Sequence, residues 1–140
     1  MYAIRAGASG DITLGKGEKS NTSVAWYQTK AKVGMSSPVA AKGYVYFASD
    51  GTLTCYEVAT GKRIYSERIP GSRMVAACPL LVGDKLFVLD ESGKGTWVKI
   101  GPEFEVLGTG SLSDTFWASP ALVGNRLYLR GVNGLYCLGK

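Results

Sequence analysis

SPVAAKGYVYF at 37–47 returns as CPLLVGDKLFV at 78–88 and again as SPALVGNRLYL at 119–129. The prolines of the three copies, Pro38, Pro79 and Pro120, stand 41 residues apart. Each copy reads as a short apolar run, a turn, and a strand of aromatic and aliphatic residues. Gly83-Asp84 and Gly124-Asn125 are residues that tolerate the left-handed backbone of tight hairpins.

The likeness continues beyond these phrases. TLTCYEV (52–58) corresponds to GTWVKI (95–100) and GLYCL (134–138), which sets Cys55 and Cys137 at one repeat position. A fourth strand follows in two copies, RIYSERI (63–69) and FEVLGT (104–109). Alternating or short apolar runs, with many glycines, argue for strands and against helical repeats of similar length. A period of 41 residues with four strands per unit is the pattern of a propeller blade. The expected fold class is therefore all-β: a partial β-propeller of about three four-stranded antiparallel blades.

The ends set the register. YAIRA (2–6) matches a third strand and SVAWYQ (23–28) a fourth, with a Gly/Ser/Lys-rich loop at 7–22 between them. The final copy stops after its third strand, in LYCLGK (135–140). The expected organisation is one propeller segment over 1–140: a partial blade at 1–35 (third and fourth strands), full blades at 36–76 and 77–117, and a partial blade at 118–140 (first three strands). Closed propellers have about four to eight blades, so the expectation is a C-terminal piece of a longer propeller. Open blade faces and the bare edge at 135–138 predict self-association as a homo-oligomer.

Composition narrows the function classes. With 46% hydrophobic and 19% charged residues the chain is globular, not disordered. No apolar stretch approaches the roughly 18 residues of a membrane span. Residues 1–5 lack the apolar core of a signal peptide, which fits either a cytoplasmic chain or a longer protein whose start is missing. The net charge of +5 permits anionic partners, but the longest basic cluster, Lys30-Ala31-Lys32, is short and has no RNA-binding aromatic motif around it. Nucleic acid is not assigned as a partner. The lack of histidine removes the commonest neutral-pH acid/base and metal ligand.

ATGK (59–62) following CYE (55–57) resembles the blade motif of PQQ-like (quinoprotein alcohol dehydrogenase-like) propellers, in which Thr-Gly-Lys turns between the third and fourth strands. The Ser-Pro openings and the LYCLGK ending resemble the same family, over essentially the whole chain. The resemblance implies the fold. It also implies a periplasmic or cell-envelope setting, since the family includes quinoprotein dehydrogenases, a lipoprotein of the outer-membrane assembly machinery and many bacterial envelope proteins. The enzymes of the family carry a Trp four residues after the motif glycine, where this chain has Tyr65. They also carry adjacent cysteines and a Glu/Asn/Asp calcium set that have no assignable counterpart here. No catalytic, cofactor-binding or metal-binding residue carries over, and no cofactor is assigned.

Residues that could carry chemistry have simpler structural readings. Cys55, Cys78 and Cys137 lack CxxC spacing and fall on different blades; they are expected to be small core side chains with no disulfide. Asp84, Asp90, Glu91 and Asp114 show no facing carboxylate pair, and Asp84 and Asp90 flank a strand as turn residues do. GASGDIT (7–13) precedes no helix and no Gly-Lys-Ser/Thr, so it reads as a hairpin insertion and not a phosphate loop. Trp26 and Trp97 lie in strands and are expected between blades, whereas Trp117 is a candidate surface platform. Val45, Phe47, Leu86, Val88, Leu127 and Leu129 are the expected core. The functional expectation is a noncatalytic module that binds or scaffolds proteins. The alternatives are part of a PQQ-dependent dehydrogenase whose active site lies in other blades, or a carbohydrate-binding propeller.

Overall fold

Turn chemistry sets the strand pairing. β3 (Val39–Ala41) and β4 (Tyr44–Ser49) are joined by Lys42 and Gly43, at φ of 49° and 82°, the type I′ pattern. β7 (Leu80–Val82) turns into β8 (Lys85–Leu89) through Gly83 at 59°, and β11 (Ala121–Val123) into β12 (Arg126–Arg130) through Gly124 at 60°. These three tight turns come from the phrases that repeat every 41 residues. A computed structural model describes residues 1–29, 31 and 34–139. Within the basic cluster at 30–32, Lys30 and Lys32 lie outside the described residues.

The remaining strands are β1 (Tyr2–Ile4), β2 (Val24–Tyr27), β5 (Thr52–Glu57), β6 (Arg63–Arg68), β9 (Lys94–Lys99), β10 (Val106–Ser111) and β13 (Leu135–Leu138). Among the described residues they form four antiparallel sheets. These are an N-terminal pair (β1-β2), sheet one (β3-β4-β5-β6), sheet two (β7-β8-β9-β10) and sheet three (β11-β12-β13). The first strands of sheets one and two adjoin. Among the described residues no helix is long and apolar enough to cross a membrane.

The core lies between sheets. β8 buries all four residues from Leu86 to Leu89, so sheet two is covered on both faces. Leu86 and Val88, with Val98 and Ile100, meet Tyr46, Ala48, Leu53 and Cys55 of sheet one. Phe87 and Leu89 face the other way, with Phe116, onto Leu127 and Leu129 of sheet three. Of the expected core, Phe47, Leu86, Val88, Leu127 and Leu129 are buried, but Val45 is only half-buried. The physical reason is the neighbour it faces. Val45 and Phe47 lie on the opposite face of β4 from Tyr46, toward the N-terminal pair, which brings two strands in place of four.

Strand register makes particular residues equivalent from sheet to sheet. Cys55 is opposite Tyr46, Trp97 opposite Phe87, and Cys137 opposite Tyr128. Trp97 thus occupies the cysteine position, one residue later than a strict 41-residue step allows. The longer turn between Leu89 and Lys94 takes up the extra residue.

Candidate functional site: an apolar groove beside a free strand edge

In the N-terminal pair and in sheet one, a residue of the outer strand reaches across to the following sheet. In the N-terminal pair it is Trp26, opposite Ala3. Its indole Nε1 donates to Val58 O at 2.7 Å, and its ring lies on Gly61. A Cβ at Gly61 would stand 2.5 Å from that ring, and the backbone there is left-handed at φ +69°, so glycine is required twice over. In sheet one the same place, opposite Cys55, holds Tyr65, whose ring packs 5.8 Å from Phe104. Burial raises the Tyr65 pKa, and its hydroxyl has no partner among the described residues.

In sheet two that place, opposite Trp97, holds Gly108. Nothing lies within 4 Å of where its Cβ would be. The missing wedge leaves a groove of about 730 Å³ whose walls include Phe87, Trp97, Gly108, Leu127, Leu129 and Leu138. Trp97 is half-buried there, tilted on Phe87 at 4.9 Å. Leu138 belongs to β13, which among the described residues pairs with β12 alone and so presents a free edge beside the groove. A second cavity, of about 420 Å³, lies on sheet one beside Arg63 and Arg68. The Arg68 guanidinium is engaged there with Asp50 O at 2.6 Å and Ser72 O at 3.2 Å.

The acidic residues each hold a turn or a loop. Asp90 is 0% exposed. Its carboxylate accepts from Ser72 Oγ (3.1 Å), Arg73 N (2.8 Å), Ser92 N (2.9 Å), Ser92 Oγ (2.8 Å) and Lys94 N (3.0 Å). Burial alone would raise its pKa; these bonds together outweigh burial and hold it below the usual carboxylate value. Asp114 accepts from Thr115 N at 2.7 Å, Asn133 Nδ2 at 2.9 Å and the Tyr136 hydroxyl at 3.0 Å, tying the 112–116 segment to β13. Asp84 sits in the β7–β8 turn, where its carbonyl accepts from Ile100 N at 3.0 Å. Glu91 acts through its backbone: its N–H donates to Met74 O and its carbonyl accepts from Phe116 N. GASGDIT (7–13) forms no strand or helix. Trp117 is 61% exposed.

No protein-family model and no curated protein matches this chain. Among solved structures it is similar to BamB from Moraxella catarrhalis, at 15% identity and a TM-score of 0.59, over 71% of this chain and 29% of BamB. It is also similar to the computationally designed Ika8 protein, at 13% identity and a TM-score of 0.58, over 74% of this chain and 32% of Ika8. The chain thus spans about a third or less of either structure. Its sheets are β-propeller blades.

The blades are linked where the repeat begins. The Ser37 N–H donates to Cys78 Sγ at 3.1 Å, and the Cys78 N–H donates to Ser119 Oγ at 3.0 Å. The Ser/Cys-Pro step that opens each copy thus makes a one-way hydrogen-bond chain from blade to blade. Bonding with Ser119, and then with the Ser37 amide, lowers the Cys78 thiol pKa. Burial pushes that of Cys55 up to about 11. Cys137 is exposed, and all three thiols are free. Among the described residues no His/Cys/Asp/Glu group is arranged to hold a metal ion. Thiol titration in denaturant without reductant should count three; a count of one would mean a disulfide and overturn the placement of Cys55 and Cys137 on separate blades.

The groove was hidden from sequence reading by two single-residue insertions, one in each turn beside β9. FEVLGT, stepped by 41 residues, puts Val106 at the place of Tyr65. β6 and β10 carry the same bulge; one extra residue in the turn before β9 and one more in the turn after it bring Gly108 there instead.

Proposed function

We propose that this chain is a noncatalytic module of the PQQ-like propeller class, one part of a propeller larger than its own blades, that binds proteins by taking up an extended strand along β13. The apolar groove beside the free β13 edge carries this reading. An added strand receives backbone hydrogen bonds from the edge, while alternate side chains enter the groove. The expected ligand is therefore a segment with large apolar or aromatic residues at alternate positions. The Asp90 and Asp114 carboxylates are occupied in holding turns and loops, which supports a binding role over a catalytic one.

Selection of extended peptides from a display library on the immobilised chain tests the reading. Alternating apolar peptides should be enriched, and they should lose at least about tenfold in affinity for Gly108→Tyr, which fills the groove. The same variant should raise the melting temperature, because a tyrosine replaces a strand glycine and buries its ring, a gain of about 1–2 kcal/mol. Failure to enrich such peptides on monomeric protein, or equal affinity for both proteins, counts against the groove; a lower melting temperature counts against its geometry. The exposed Trp117 favours one other reading, a carbohydrate platform. Binding on a glycan array that is lost in Trp117→Ala would assign that function instead.

A further inference from the structure

We infer that the strand taken up by β13 is β2 of a second copy of this chain, and that two copies close a six-bladed ring. The inference rests on the reading of the β13 edge as a strand-docking surface.

The first observation is an equivalence of strands. Ala3 of β1 lies opposite Trp26 just as Cys55 lies opposite Tyr65, and Cys137 of β13 holds the Cys55 position. β1 and β13 therefore occupy the same place in a blade, the third strand. β2 can exchange β1 for β13 of another copy without changing its register. Trp26 then lies opposite Cys137, and Tyr27 opposite Tyr136. Tyr27 now stacks on Tyr2 at 4.4 Å, and the exchange replaces one tyrosine partner by another. β1 has three residues, with Tyr2 and Ile4 exposed, so little pairing is given up. Trp26 keeps its seat on Gly61 of its own copy, because a completed third blade would stand directly before blade one.

The open faces provide the second observation. Tyr128, Leu135 and Cys137 line the free face of blade three at the positions of Tyr46, Leu53 and Cys55 in blade one. Leu53 is 0% exposed against blade two, whereas Leu135 is 69% exposed. The face that receives Leu53 and its neighbours carries Leu86 and Val88. Its counterpart in blade one carries Val45 and Phe47, and Val45 is incompletely covered. The open face of blade three is thus the complement of the incompletely covered face of blade one, by the packing already present between blades one and two.

A third observation sets the direction. Among the described residues the Ser119 N–H has no acceptor, and the Ser37 hydroxyl, which opens blade one, has no donor. Head-to-tail joining places Ser119 of one copy before Ser37 of the next and continues the chain. Three blades from each copy make six, within the range of closed propellers. The junction occurs twice about a two-fold axis.

Light scattering over a concentration range should find a two-copy species. Leu135→Asp and Val123→Asp alter exposed side chains, so each should keep its strand circular dichroism and become monomeric. Hydrogen exchange separates strand exchange from simple face contact. In the two-copy species the β13 amides should exchange roughly tenfold more slowly than in Leu135→Asp, while the β1 amides lose protection. A monomeric wild type, a dimer that survives both substitutions, or a dimer whose β13 amides stay labile would each overturn the inference. If the wild type is monomeric yet selected peptides still bind in a Gly108-dependent way, the second copy falls and the docking surface stands. If those peptides fail as well, both fall.

Discussion

Leu86→Asp should abolish cooperative folding of the two central blades. Leu86 is 0% exposed and lies in the cluster of Tyr46, Leu53, Val88 and Val98. Its strand is central in blade two, with partners on both sides, so the side chain has no route to water. A carboxylate there is either ionised without a partner or protonated at the cost of its pKa, and either costs several kcal/mol. Domains of this kind carry roughly 5–15 kcal/mol in all. Thermal unfolding followed by circular dichroism should show a midpoint lowered by more than about 10 °C, or no sharp transition. Leu86→Ala, which leaves a cavity, should cost about 2–5 kcal/mol. An unchanged midpoint for the aspartate would mean that blades one and two do not pack through this face.

Asp90 should give the second large effect, with a pH signature of its own. Asp90→Ala leaves two hydroxyls and three amides of Ser72, Arg73, Ser92 and Lys94 without their acceptor, on the order of 3 kcal/mol or more. The folded carboxylate titrates below its ordinary value of 3.8. Its ionised form therefore stabilises the fold above that pH, and the contribution is lost as pH falls through the lower folded value. Urea melts of wild type and Asp90→Asn should differ most near neutral pH and converge as the pH falls below the lowered folded value. A gap that is constant across this range would show that the charge on Asp90 does not contribute.

The blades were legible because the same turn, strand and aromatic pattern recurs at one spacing, so each copy supports the others. Val45 was misjudged because its burial depends on how many strands the preceding blade supplies, which the residue's own pattern does not state. Asp90 follows a strand as any turn residue does. Its burial follows from Ser72 and Arg73, almost half a repeat earlier, folding over it. Gly108 carried no signal until the extra residues in the two turns beside β9 were placed, because the groove arises from a side chain that is missing.

The chain of bonds through Ser37, Cys78 and Ser119 bears on how such a molecule changes length. Each link requires only an amide on one side and an acceptor atom on the other, and sulfur serves in the middle where oxygen serves at the end. The energy of a linear array of this kind is close to a sum over neighbouring units. A duplicated or deleted 41-residue period therefore alters how many junctions exist without altering the composition of any of them. Circumference can drift by whole units, while each seam stays chemically the same.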